Sequence, residues 1–191
     1  TIFMDDAAIR LGGYVSGNTF DNSGAIVVSG SGNVLDMDNP YAVFNNGVIA
    51  FVDGLVDDRL TLVGDLDGQG AIDVDVSASR QAADQLYVDG SVAGSAAQTV
   101  NVNLVDLPAS ASVQVPLINA TGALAGSFIL GDVQYAQDGF VAMDFGLVQA
   151  SNAISLGIDV TGLNTTGSLA ASIAPGVQDL LSAQVGTWRE R

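Results

Sequence analysis

The chain has 191 residues, 48% of them apolar, with 21 acidic against 5 basic side chains and a formal net charge of −16. Twenty acids are Asp, all five bases are Arg, and there is no Lys, His or Cys. This excludes phosphate neutralisation of nucleic acid, disulfides and thiolate nucleophiles, Ser-His-Asp triads and His/Cys zinc sites, while the apolar share excludes disorder.

Residues 1–11 carry Asp5 and Asp6 but no basic stretch, so no signal peptide is read there. Strands are expected at 25–29, 33–37, 47–52 and 59–63. In AIDVDV (71–76) the period is two: Ile72, Val74 and Val76 share one face, and Asp73 and Asp75 share the other, solvated one. Further strands are expected at 86–88, at TVNVNL (99–104), at SVQVPL (112–117), and at 127–130, 140–145 and 153–160. Turn signals separate them: SGSGN (29–33), NNG (45–47) and DGQG (67–70), with DG at 53–54, 89–90 and 138–139. The uncharged run 107–131 is broken by Pro108, Pro116 and Asn119. It is not a spanning helix, which needs about 20 mainly apolar residues.

The pattern repeats. DRLTLVGDLDGQGAIDVDV starts at Asp58, and DQLYVDGSVAGSAAQTVNVNL starts at Asp84, 26 residues later. Each copy reads Asp, polar, Leu, any residue, apolar, then Gly six positions after the Asp. Each then reaches a second Gly (Gly68, Gly94) and an alternating strand from Ile72 or Val100, with two extra residues in the second copy. Two strands and two turns per copy of this length suit one turn of a solenoid, stacked at the spacing of paired strands, about 4.8 Å. The alternative is a β-sandwich, which also spaces short strands closely. The core expected from the alternation is Leu60, Leu62, Ile72, Val74, Val76, Leu86, Val88, Val100, Val102, Leu104 and Phe128. Phe3, Phe20, Tyr41, Phe44 and Phe51 are read as stacks inside the turns.

After Pro175 the spacing changes. Val177, Leu180 or Leu181, Gln184 or Val185, and Trp188 recur at helical period, with Pro175 placed for a helix start and Gly186 weakening the pattern. The uncharged 162–176 stretch reads as a linker.

The stretch 45–106 resembles the C-terminal passenger region of pertactin-like autotransporters of Gram-negative bacteria. The matching positions are 47–51, 58–64, 68–76 and 84–90. The stretch 113–145 resembles the family's closing hairpin module, the autochaperone, through VPLINATGALAGSFILGDV. It departs where FVAMDFGL (140–147) and AISLGIDV (153–160) replace the family's Tyr-x-Tyr-x-Leu and Trp-x-Leu. VGTWRER (185–191) resembles the start of the translocator.

The resemblance implies an all-β chain: a right-handed parallel β-helix over 1–111 and a hairpin cap over 112–161. The linker 162–176 then leads to a short helix at 177–191, carrying Leu180, Leu181, Val185 and Trp188, that points toward an outer-membrane barrel. It also implies a non-enzymatic, surface-exposed segment in type V secretion, serving as stalk and folding nucleus, part of an adhesin and hence of virulence. Its partners would be its own barrel, the barrel assembly machinery and a host or cell-surface ligand, with no nucleic acid. Its location would be the cell surface, tethered to the outer membrane. No cofactor, metal or catalytic residue is assigned.

Two rival readings rest on the acids. Asp73 and Asp75 are a carboxylate pair such as a β-helical polysaccharide-active enzyme would use, but only Arg59 and Arg80 lie nearby to assist them, and a solvated strand face is the plainer reading. Asp65, Asp67 and Asp73, or Asp36, Asp38 and Asn39, offer the alternating oxygens of a calcium-dependent adhesive or structural module. The runs match neither an EF-hand nor a calcium β-roll, and turn formation is the plainer account of such Asp residues.

Overall fold

The computed structural model of the chain describes residues 1–11, 19–37, 42–95, 97–135 and 141–163. The described residues are all-β, with no helix among them. Each turn of the stack lays down one strand on each of three faces, not the two strands per copy expected from the repeat, because the third face is built of strands only three or four residues long. The first gives Ile2–Asp5 (β1), Ala8–Arg10 (β2) and Phe20–Asn22 (β3). The next gives Ala25–Ser29 (β4), Asn33–Asp36 (β5) and Ala42–Asn45 (β6), and the third Val48–Ala50 (β7), Arg59–Val63 (β8) and Asp65–Asp67 (β9). Ala71–Ser77 (β10) follows, with Ala82–Ala83 (β11) folded back on it, and then Gln85–Asp89 (β12). The C-terminal strands are Ala97–Asp106 (β13), Ser112–Ala120 (β14), Ser127–Tyr135 (β15), Val141–Gln149 (β16) and Ala153–Leu163 (β17).

One sheet runs β1-β4-β7-β10-β13-β15, a second β2-β5-β8-β12-β14, and a third β3-β6-β9. The third face continues as single bridges from Leu66 to Val92 and from Val92 to Leu124. Every pairing between successive turns is parallel. This is a β-solenoid, and its parallel sheets fit a right-handed β-helix. The packed antiparallel sheets of a β-sandwich are not what these strands form.

Strand alternation explains why the stack holds. Inward residues superpose turn on turn: Ile26 on Ile49 on Ile72 on Val100, and Leu60 on Leu86 on Ile118. All seven are fully buried. Burying each such side chain stabilises the stack by about 1.5–3 kcal/mol. The 26-residue repeat is the register itself, since Gln85 pairs with Arg59 and Asp89 with Val63. The two extra residues are taken up before β13, so that Ile72 pairs with Val100.

The turns between faces need glycine where backbones nearly touch. Gly68 has φ +103°, and a Cβ there would collide with the Asn45 carbonyl of the previous turn. L-residues with side chains rarely adopt that φ.

Candidate functional site

The stack is closed at one end. Strand β14 takes β12 in parallel on one edge and β17 antiparallel on the other, and β16 hairpins onto β17. In β17, Ile154, Leu156 and Ile158 point inward and are fully buried, opposite Ile118, Val115 and Val113. Gly157 and Asp159 alternate with them on the outer side, so the AISLGID alternation makes this strand a lid with one apolar face. Because the chain reverses, the lid satisfies the β14 edge without templating another turn. Tyr135 on β15 and Phe145 on β16 tie the lid to the first sheet, with ring centroids 5.7 Å apart. Phe128 on β15 is half-buried against the core.

The other expected core residues, Leu60, Leu62, Ile72, Val74, Val76, Leu86, Val88, Val100, Val102 and Leu104, are all buried. The expected linker helix with Leu180, Leu181, Val185 and Trp188 lies outside the described residues, as do Tyr41, Asp38, Asn39 and most of the linker. Of the aromatics read as internal stacks, Phe51 is fully buried, but Phe3 is 77% exposed. Phe3 falls on the outward parity of β1, between inward Met4 and half-buried Ile2. Phe44 likewise alternates outward between buried Val43 and Asn45.

The pair Asp73 and Asp75 does not share a solvated face. Asp73 is half-buried, and its Oδ1 accepts from Asn101 Nδ2 at 2.7 Å. Asp75 has no exposure at all. The loop 51–58 folds over it, and the Asp53 and Gly54 N–H groups donate to its Oδ2 at 2.9 and 2.6 Å. Asn103 Nδ2 donates to its Oδ1. Arg59 is occupied over the Tyr87 ring, 5.7 Å from its centroid, and Arg80 Nε donates to Ser77 Oγ. Chemically, Asp75 is an acceptor that closes a loop and presents no carboxylate to a substrate.

The calcium candidates are spread apart and bonded into turns. Asp65 Oδ1 accepts from Ser91 N–H at 2.7 Å, and Asp67 Oδ1 from Gly68 N–H at 2.7 Å and from Ser95 Oγ. Asp36 pairs with Arg10 at 3.4 Å. Among the described residues no three His, Cys, Asp or Glu side chains converge to hold a metal ion.

Two polar features escape the alternation rule. The first is a buried amide ladder. Asn22 Nδ2 donates to Asn45 Oδ1 at 2.8 Å, and Asn45 Nδ2 donates to Gln98 Oε1 at 3.0 Å and to the Ala71 carbonyl at 3.0 Å. Gln98 Nε2 in turn donates to the Gly68 carbonyl at 2.8 Å. Where the third face meets the first, the ladder supplies donors to the Val48, Ala71 and Gly68 carbonyls. Its signal in the sequence is that Asn22 and Asn45 lie 23 residues apart, the register of that turn.

The second is a corner of buried acids, Asp58, Asp75 and Asp84, at 3%, 0% and 0% exposure. Gly30 N–H donates to Asp58 Oδ1 at 2.6 Å; Asp58 N–H donates to Asp84 Oδ1 at 3.1 Å, and Asp75 N–H to Asp84 Oδ2 at 2.8 Å. Burial pushes the Asp84 carboxyl up to about 7, the two backbone N–H bonds work against the rise, and the charges of Asp58 and Asp75 add to it. Burial also raises Asp58, opposed by the Gly30 N–H and assisted by Asp53, Asp57 and Asp75. Both aspartates head the two copies of the sequence repeat, so their positions are legible in the pattern, whereas their burial is not.

An open cleft of about 260 Å³ lies on the outward face of the first sheet, lined by Val52, Asp73, Asn101, Asn103, Asp132 and Gln134. No protein-family model matches the chain, and no curated protein matches it.

Proposed function

We propose that the chain is a non-enzymatic, surface-exposed passenger segment of an autotransporter, serving as stalk and as the C-terminal folding nucleus of a longer β-helical protein. The observation that carries this reading is the pairing of a uniform parallel stack with a reversed hairpin at its C-terminal end. A solenoid nucleates at one place and propagates turn by turn, and its terminal turn needs a cover. A lid built by Val113, Val115, Ile118, Ile154, Leu156 and Ile158 supplies such a nucleus, against which each preceding turn can pack as it emerges from a membrane. The high Asp content keeps outward faces soluble and opposes edge-to-edge association.

The resemblance over 45–145 adds the secretion route, and with it a barrel, the barrel assembly machinery, an outer-membrane location and an adhesive role. The chain lacks Cys, so no disulfide-locked loop would obstruct passage through a pore.

The test fuses the chain to an outer-membrane translocator barrel in a Gram-negative host and follows surface exposure and protease resistance. The native sequence is expected to reach the surface and to leave a protease-resistant fragment. Val102→Asp, which puts a charge at the centre of the core, is expected to lose both. Undiminished display of a protease-resistant Val102→Asp chain would overturn the reading.

A further inference from the structure

Asp58, Asp75 and Asp84 are buried together without a cationic side chain among their hydrogen-bond partners. Five of their six carboxylate oxygens accept hydrogen bonds, all of them from neutral donors. The sixth, Asp58 Oδ2, is buried with no donor. An isolated buried charge is costly enough that the group neutralises instead. A proton held between Asp58 and Asp84 neutralises the corner without a further ligand, and Asp58 Oδ2 is the carboxylate oxygen left over for it.

The position of this corner matters. Asp58 closes the exposed loop 51–58 and receives Gly30 N–H from the turn before. Asp84 sits one turn later, at the equivalent place in the repeat, and receives Asp58 N–H and Asp75 N–H. Three turns are therefore joined through two carboxylates. Every titratable side chain acting on them is negative: Asp53, Asp57 and Asp75 on Asp58, and Asp58 and Asp75 on Asp84. Asp6, from the first turn, faces Gly30 from the far side and takes the Gly32 N–H. Arg59, the next residue in the chain, is turned onto Tyr87.

We propose that Asp58 and Asp84 form a proton-operated joint between successive turns of the stack. With a proton held by the pair, the corner joining Gly30, Asp58 and Asp75 is closed. With both carboxylates ionised, like charges face each other in a dry corner, and the 51–58 loop and the three joined turns loosen. The joint needs no ligand, and it would make the stalk firmer in mildly acidic surroundings than in alkaline ones.

The sign follows from proton counts. The folded chain holds a proton here that the unfolded chain has released above the ordinary carboxylate range, so stability falls as pH rises toward about 7 and levels off beyond. The chain has no His and no Cys, the side chains that most often titrate in that window.

The experiment measures the melting temperature of the 191-residue chain from pH 5 to 9, with amide exchange at Gly30, Asp58 and Asp75 and the carboxyl carbon shifts of the Asp residues. The native chain is expected to lose roughly 5 °C between pH 5 and 8, with those three amides losing protection together. Asp58→Asn keeps the acceptor for Gly30 and removes one charge, so its decline should be shallower and centred at lower pH. A flat native profile, or an Asp58→Asn profile with the native slope and midpoint, would overturn the proposal. If Asp58→Asn does not fold, the native carboxyl titration decides. An Asp58 or Asp84 carboxyl that stays protonated above pH 6 sustains the joint, and titration of both in the ordinary carboxylate range sinks it.

Discussion

Leu60 and Leu86 pair Cα to Cα across adjacent parallel strands, and each is fully buried. Their superposition turns a sequence repeat into a structural one. Truncating either leaves a hole bounded by neighbours from the turns on both sides, which are held in place by their own ladders and cannot collapse into it. Leu86→Ala is therefore expected to cost about 2–5 kcal/mol. The denaturant midpoint should fall while the slope of the transition stays the same, because the surface exposed on unfolding is nearly unchanged. An unaltered midpoint would mean that the stack does not depend on this column.

A second prediction concerns the amide ladder. Asn45→Asp preserves shape and keeps Oδ1 available to Asn22, but it removes the two N–H donors that satisfy the Ala71 carbonyl and Gln98 Oε1. A carboxylate oxygen would then face two acceptors in a fully buried site. Leaving buried acceptors unpaired costs about 1–3 kcal/mol each, and more for a charged group. The loss should exceed about 3 kcal/mol. The neighbouring Asn46 is exposed, and Asn46→Asp should change stability by no more than about 1 kcal/mol. The pair of urea midpoints makes the comparison, and equal effects at 45 and 46 would refute a role for the ladder.

How much of this was readable beforehand differs between the apolar and polar residues. The longer alternating strands, the 26-residue step from Leu60 to Leu86 and the two-residue insertion before Val100 are legible because alternation and repeat length are local properties of the chain, whereas the short strands β1, β2, β3, β6 and β9, and with them the third face, are too brief to show a period. The residues closing the lid, Ile154, Leu156 and Ile158, were legible as an alternating strand. Their antiparallel pairing with β14 was not legible: the resemblance implies a hairpin cap over 112–161 but departs from the family at 153–160, and the partner strand emerges only in the fold. The polar interior was read wrongly at Asp75. Alternation assigns Asp75 to the outer face, and the backbone does place it there; but the 51–58 loop, whose course no periodicity describes, then covers that face. Phe3 failed in the opposite sense, because an aromatic side chain on an outward parity position remains outside whatever its hydrophobicity. The Asp58 and Asp84 corner lies between these cases. The repeat marks both residues, yet burial of an acid depends on which neighbours surround it, and those neighbours come from three different turns.

Asp106 responds to pH in the opposite sense to Asp84. Asp106, at the end of β13, reaches back one turn to the loop after β10. Its Oδ2 accepts from Ser77 Oγ and from Ser79 Oγ at 2.7 Å, and its Oδ1 accepts Ser79 N–H at 2.8 Å. Burial opposes ionisation here, but those hydrogen bonds and the Arg80 charge outweigh it and hold the group below its ordinary value. The linkage therefore runs opposite to that of Asp84. The stabilisation from Asp106 is fully present above the ordinary carboxylate pKa and disappears as pH falls through the lowered value. The site is half-exposed, so the effect is modest once solvent screening is allowed for. Asp106→Asn should cost about 1–2 kcal/mol at neutral pH. The gap between native and variant chains should close toward about pH 2, where both carry a neutral group. Urea midpoints at the two pH values test it, and a gap of the same size at both would show that shape, not charge, holds the loop. With Asp106 weakening the fold on the acid side and Asp84 on the alkaline side, the native chain should be most stable in mildly acidic solution. Asp106→Asn should flatten only the acid flank of that curve.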